Sequence, residues 1–169
     1  MTAQSYNLEN LVLLVVDDNK NMRMVVNQVL RALGIRNVKE ADDGAEALKV
    51  MKTFPIDIVI CDWNMEPLDG LDFTRMIRTA SDSPNPFVPI IMLTGHTEMH
   101  RVEEARDAGV NEFLAKPISA KSLYDRIATV VGTSRHFIRT PNYTGPDRRR
   151  GGRRGQIYKG KERRKASDD

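Results

Sequence analysis

Short apolar runs recur through the first 117 residues, and each of four ends on a polar group. LVLLVV (11–16) leads into Asp17-Asp18, IDIVIC (56–61) into Asp62, VPIIML (88–93) into Thr94, and the FLA of 113–115 into Lys116-Pro117. None is longer than about six residues. That length suits a strand and falls far short of the roughly 20 apolar residues needed to span a bilayer. With a further run near 36–40, the strand signals alternate with helical patterns near 20–33, 44–53, 70–80, 98–108 and 119–131. Met22, Val25, Val26, Val29, Leu30 and Leu33 recur at the spacing of one helix face. Gly34 then stops that helix. Ser119 is a plausible N-cap for the last helix, which turns Leu123, Ile127, Val130 and Val131 inward. Five strands alternating with five helices predict an α/β, doubly wound parallel sheet covered on both faces. The run at 57–61, apolar except for Asp57, suits a central buried strand.

In an open parallel sheet the strand C-termini share one edge, and ligands bind there. The order of the runs therefore predicts a single site holding three carboxylates, a hydroxyl and an ammonium. Crowded carboxylates repel one another and favour a hard cation. Mg²⁺ fits, because it takes oxygen ligands and commonly bridges to phosphate. An aspartate can attack a phosphoryl donor to form an acyl phosphate, and such transfer depends mainly on positioning and charge neutralisation. Each residue also has a plainer reading. Asp17-Asp18 can cap the following helix, Asp62 can be a loop carboxylate, Lys116-Pro117 an exposed strand end and Phe113 ordinary core. Asp69-Gly70 reads as a turn before a helix. His96, His100 and His136 lack the partners of a zinc site. The single cysteine, Cys61, sits in an apolar strand and reads as a buried small hydrophobe; with no disulfide available, a reducing cytoplasm is expected.

Four strings, VVDDN (15–19), CDWNMEPLDG (61–70), IIMLTG (90–95) and FLAKP (113–117), resemble the receiver domain of two-component response regulators, the CheY-like family. The resemblance covers about residues 10–132. It implies a flavodoxin-like sheet of order 2-1-3-4-5, the order shared by flavodoxin and CheY. It implies that Asp62 is the phosphoacceptor and that Asp17, Asp18, Asp62 and the backbone carbonyl of Asn64 hold Mg²⁺. Thr94 and Lys116 would contact the phosphoryl group, and Phe113 would be the aromatic switch. The expected partner is a histidine kinase or phosphotransfer protein. Glu66 separates Met65 from Pro67, where the family often has Met-Pro directly. The chain is not expected to be an enzyme in any further sense. A haloacid-dehalogenase-type hydrolase also uses aspartate, Mg²⁺ and lysine, but it needs D-x-D at the first strand, which here ends Asp17-Asp18-Asn19.

Beyond the body, charge reverses. Of 26 Lys and Arg and 23 Asp and Glu, residues 135–169 hold 12 and 4, leaving 14 and 19 for residues 1–134. The net charges are therefore +8 and −5. Residues 1–9 read as an N-terminal extension without signal-peptide character, and 133–169 as an arginine-rich tail too poor in apolar residues to fold without a ligand. No DNA-binding output domain is recognisable. Guanidinium groups bind phosphate and guanine edges in bidentate fashion. Arg149-x-x-x-Arg153 and Arg150-x-x-x-Arg154 look like the R-x-x-x-R element of PilZ domains, whose companion D/N-x-S-x-x-G motif is absent. The tail more closely resembles that of CheY-like cyclic di-GMP effectors, which act on the flagellar motor or on surface attachment. That resemblance implies a cyclic di-GMP site drawn from Arg135, Arg139, Tyr143, Asp147, Arg148, Arg149, Arg150, Arg153 and Arg154. Two other readings stand beside it: attachment to nucleic acid or an anionic membrane, and a tail that only solubilises or docks a protein partner.

Overall fold

The computed structural model describes residues 8–95 and 98–132, and the backbone of 137–140 and 143–146. Five strands, β1 (Val12–Val16), β2 (Asn37–Ala41), β3 (Ile58–Asp62), β4 (Ile90–Thr94) and β5 (Glu112–Ala115), form one sheet of order β2-β1-β3-β4-β5. All neighbouring pairs are parallel. This is the expected flavodoxin-like order. Between the strands run α1 (Lys20–Ala32), α2 (Gly44–Thr53), α3 (Gly70–Thr79), α4 (Val102–Ala108) and α5 (Ala120–Gly132).

The alternation of side chains along each strand sorts the core into two layers. Leu13, Val15, Ile58, Ile60, Ile91 and Leu93 face Val26 and Leu30 of α1 and Leu123 and Ile127 of α5. Leu14, Val16, Val59, Cys61, Ile90 and Met92 face Ala47 and Met51 of α2, Leu71, Phe73 and Ile77 of α3, and Ala105 of α4. Strands β3 and β4 are buried along their whole length, as central strands covered on both sides must be. Cys61 lies in this core, fully buried.

Helix ends follow local chemistry. The side chain of Asn19 accepts from the Asn21 and Met22 amides and caps α1, so Asp17 and Asp18 are not spent on capping. Gly34 takes φ 88° just past α1, where a side chain would be strained. The Asp43 and Asp69 carboxylates cap α2 and α3. Ser119 Oγ accepts from the Ser122 amide at the start of α5, as expected of its N-cap. The helix expected over 98–108 is shorter: Met99–Arg101 form a 3-10 turn, and α-helix begins only at Val102. Neither Glu98 nor Arg101 supplies a side-chain cap, so nothing fixes an earlier start. His100 is exposed in that turn, while His96 and His136 lie outside the described residues. No described helix is long and apolar enough to cross a membrane.

Most of the segment 133–169, expected not to fold without a ligand, lies outside the described residues; the backbone of 137–140 and 143–146 is described. β6 (Phe137–Thr140) and β7 (Tyr143–Pro146) form an antiparallel hairpin, with Phe137 opposite Pro146 and Thr140 opposite Tyr143. The two strands are rich in aromatic and β-branched residues. Such residues favour strands.

Candidate phosphoryl and cation site

Parallel registration brings the predicted residues to one rim. Val16 pairs with Cys61, Asp62 with Leu93, and Thr94 with Ala115. The residues just beyond these pairs are therefore neighbours across the top of the sheet. The Asp17 amide bonds to the Ala41 carbonyl and the Lys116 amide to the Thr94 carbonyl, so both strand extensions are held by backbone. Arg23 in α1 donates to the Asp17 carbonyl at 2.6 Å and pairs with Glu40 at 3.3 Å, which pins the end of β1.

One carboxylate oxygen from each of Asp17, Asp18 and Asp62 lies within 4.8 Å of the others. Asp17 and Asp62 are buried at 1% and 5% exposure, whereas Asp18 is exposed. Lys116 Nζ sits 2.7 Å from Asp62 Oδ1. Burial pushes the Asp17 carboxyl up to about 6; the Asn19 amide on Oδ1 opposes that rise, and the neighbouring Asp62 and Asp18 carboxylates add to it. Burial likewise raises Asp62, with the Lys116 ammonium opposing. Asp17 Oδ2 is buried without a hydrogen-bond partner. An orphaned anionic oxygen between two other carboxylates is costly unless a cation meets it. An all-oxygen donor set fits a hard divalent ion such as Mg²⁺. Asp17, Asp18 and Asp62 would hold it, and it would supply positive charge next to Asp62.

The other expected residues fall around this centre. Thr94 is buried at the end of β4. Asn64 lies in the exposed loop after β3. Phe113 is half-buried in β5 and packs on the core layer beneath α2, α3 and α4. Glu66 is exposed. Arg135, Asp147, Arg148, Arg149, Arg150, Arg153 and Arg154 lie outside the described residues, and only the backbones of Arg139 and Tyr143 are described.

Two neighbours went unrecognised in the sequence. Gly70 is more than a turn residue: its amide donates to the Trp63 carbonyl at 2.8 Å, and a Cβ there would collide with the Asp62 carbonyl oxygen. Its missing side chain lets α3 start against the backbone that presents Asp62. Trp63, the single tryptophan, is buried beside Asp62, and the Arg101 guanidinium lies 5.3 Å from its ring centroid. Placing an aromatic directly after Asp62 is a sequence signal; the Arg101 partnership is legible only in three dimensions.

Comparison with known proteins agrees with this geometry. The family model for the response regulator receiver domain matches residues 13–128. The chemotaxis protein CheY-3 of Vibrio cholerae is 38% identical over 119 residues, covering 70% of this chain and 90% of that protein. The chemotaxis protein CheY of Pseudomonas aeruginosa is 36% identical over 118 residues, 70% of this chain and 94% of that protein. Among solved structures, V. cholerae CheY4 superposes with a TM-score of 0.64 at 32% identity, over 71% of this chain and 98% of that one. The receiver domain of a sensor histidine kinase from P. aeruginosa PAO1 gives 0.64 at 32% identity, over 73% and 98%, and holds a magnesium ion in its active site cleft. A sheet of matching order, an acidic rim at its strand C-termini and a family match across nearly the whole folded body lead to one assignment: the chain belongs to the response regulator receiver domain family, in its CheY-like form.

Proposed function

We propose that Asp62 accepts a phosphoryl group from a histidine kinase or phosphotransfer protein, with Mg²⁺ held by Asp17, Asp18, Asp62 and the Asn64 carbonyl. The observation that carries this reading is the Lys116 ammonium 2.7 Å from an acceptor carboxylate inside a three-carboxylate cluster. In the transfer, an Asp62 oxygen attacks phosphorus. The donor's P–N bond breaks, and the imidazole keeps the electron pair and takes up a proton. Lys116 then follows the charge from the carboxylate to the phosphoryl oxygens, and the Thr94 hydroxyl donates to another of them. Drawing Thr94 inward leaves room for Phe113 to follow, and the surface over α4, β5 and α5 changes shape. The domain promotes its own phosphorylation and dephosphorylation and catalyses nothing else in this reading. A cytoplasmic setting accords with such a partner. Incubation with acetyl phosphate and Mg²⁺ should add one phosphoryl mass to the wild-type chain and none to Asp62→Asn, read by intact-mass spectrometry. Equal modification of the two would refute the assignment.

A second reading concerns the basic segment. The +8 charge of residues 135–169, with arginines at 148–150 and 153–154 set among Gly151, Gly152 and Gly155, supports binding of cyclic di-GMP. Both curated relatives described above are named as chemotaxis proteins, which makes the flagellar motor a reasonable target. Titration calorimetry on the full chain should show binding that is lost when Arg149, Arg150, Arg153 and Arg154 all become Ala, with Asp62 phosphorylation unchanged. Binding of nucleic acid or anionic vesicles that falls steeply with salt and ignores nucleotide identity would replace this reading by an electrostatic one.

A further inference from the structure

The hairpin is placed where phosphorylation would be felt. It follows α5, whose buried residues Leu123 and Ile127 pack in the core layer of α1. Yet Cα atoms of β7 come within 8 Å of Cα atoms in both α3 and α4, on the opposite face of the sheet. β7 therefore lies against two helices on the face of the sheet opposite α5.

α3 starts at the acceptor site, and α4 follows the end of β4 through a short 3-10 turn. α3 begins at Gly70, hydrogen-bonded to the Trp63 carbonyl and pressed against the Asp62 carbonyl. The path to α4 leaves Thr94 through Gly95, whose amide donates to Glu98 Oε2 at 3.0 Å. The outer seam between the two helices is ionic and exposed. Arg101, which lies over the Trp63 ring, pairs with Glu104 at 3.0 Å. Glu104 pairs in turn with Arg75 at 3.5 Å, and Arg75 with Asp72 at 3.4 Å. Exposed pairs of this kind are individually weak and rearrange readily. A seam so built lets α4 shift against α3 when Thr94 is drawn toward a phosphoryl group. A strand seated against both helices is exposed to any such shift between them.

We propose that β6–β7 is a strap clamped across α3 and α4 in the unmodified protein, and that phosphorylation of Asp62 loosens it through the Arg101–Glu104–Arg75 seam. The inference rests on Asp62 being the acceptor. The basic run begins at Arg148, two residues after Pro146, so the strap's position sets where that run is presented. By linkage, anything that lifts the strap must favour the phosphorylated form to the same degree.

Hydrogen–deuterium exchange on the full chain tests this, reading peptides that cover 137–146 before and after treatment with acetyl phosphate and Mg²⁺. Amides of the strap should exchange about tenfold faster in the phosphorylated chain, within the range usual for coupled sites. Glu104→Gln, an exposed change that severs the seam, should cut that response to below about threefold while Asp62 takes up phosphate as in wild type. A phosphorylated chain whose strap exchanges at the same rate or more slowly overturns the inference alone, as does a full response in Glu104→Gln. A chain that takes up no phosphoryl group overturns the acceptor assignment and the strap with it.

Discussion

Arg78→Ala should lower the unfolding free energy by about 3–5 kcal/mol, the combined cost of buried acceptors left without donors and of the cavity left by a large buried side chain. Arg78 is 1% exposed in α3. Its Nε and Nη2 donate to the Gly109 carbonyl at 3.1 and 2.9 Å, Nη1 to the Pro86 carbonyl at 2.8 Å, and Nη2 also to Asn111 Oδ1 at 3.0 Å. Asn111 Oδ1 in turn accepts from the Ile90 amide at 2.9 Å. One guanidinium thus joins α3, the approach to β4, the turn after α4 and the approach to β5. Truncation leaves buried acceptors without donors and opens a cavity, and the two costs add. Lysine is a poor substitute, because a single ammonium cannot reproduce the fork. These contacts lie at the N-terminal end of β4, at the far end of the sheet from Asp62. Phosphorylation by acetyl phosphate should therefore survive in the folded fraction. Urea titration of wild type, Arg78→Ala and Arg78→Lys would measure the loss. A midpoint for Arg78→Ala within experimental error of wild type would show that the network is not holding these elements together.

Arg78 also shows where sequence reading stops. The strands were legible because buried strands in a parallel sheet must be apolar on both faces, and the runs ending at Val16, Cys61 and Leu93 have that character. The rim was legible for the same reason, since strand C-termini share an edge and the polar residues at the run ends had to meet there. Capping was less clear: Asp17, Asp18 and Asn19 are all good N-caps, and only the backbone shows that Asn19 takes the role. Arg78 resembles any helix-surface arginine until its position is compared with Leu71 and Thr74, seven and four residues before it on the buried face. A charge inside an apolar stripe is a signal of a buried network. Gly70 gives no signal beyond that of a turn, because its need arises from how closely the folded loop brings it back against the Asp62 and Trp63 backbone. The pairing of β6 with β7 was hidden by averaging: a composition argument over 133–169 passed over the aromatic and β-branched residues at 137–140 and 143–146.

Asp17→Asn should make the metal-free protein more stable at neutral pH while removing most of its response to Mg²⁺. The Asp17 carboxyl stands at about 6 in the folded protein, against 3.8 as its ordinary value. The folded state therefore holds this proton more tightly than the unfolded chain does. The contribution of Asp17 to stability is full below about pH 4, falls as pH rises through about 6, and stays lost above it. The loss is at most about 3 kcal/mol, taking 1.36 kcal/mol per pH unit. Asn avoids that loss: its Oδ1 can keep the bond from the Asn19 amide, and its amide group can donate toward the Asp18 and Asp62 carboxylates where the orphaned Oδ2 now repels them. A neutral amide is also a weaker ligand for a hard cation than a carboxylate. Asp62 is shifted in the same direction, so wild-type melts alone would mix two titrations, and the difference between wild type and Asp17→Asn isolates the one at issue. Without metal, that difference should be near zero at pH 4 and should grow to about 1–3 kcal/mol in favour of Asn by pH 7.5. Saturating Mg²⁺ should then raise the wild-type midpoint at pH 7.5 and leave the variant nearly unmoved, because only a ligand that binds the folded state shifts the equilibrium. A variant less stable than wild type without metal, or one that gains as much from Mg²⁺, would show that the unpartnered oxygen of Asp17 is not the source of the strain a cation relieves.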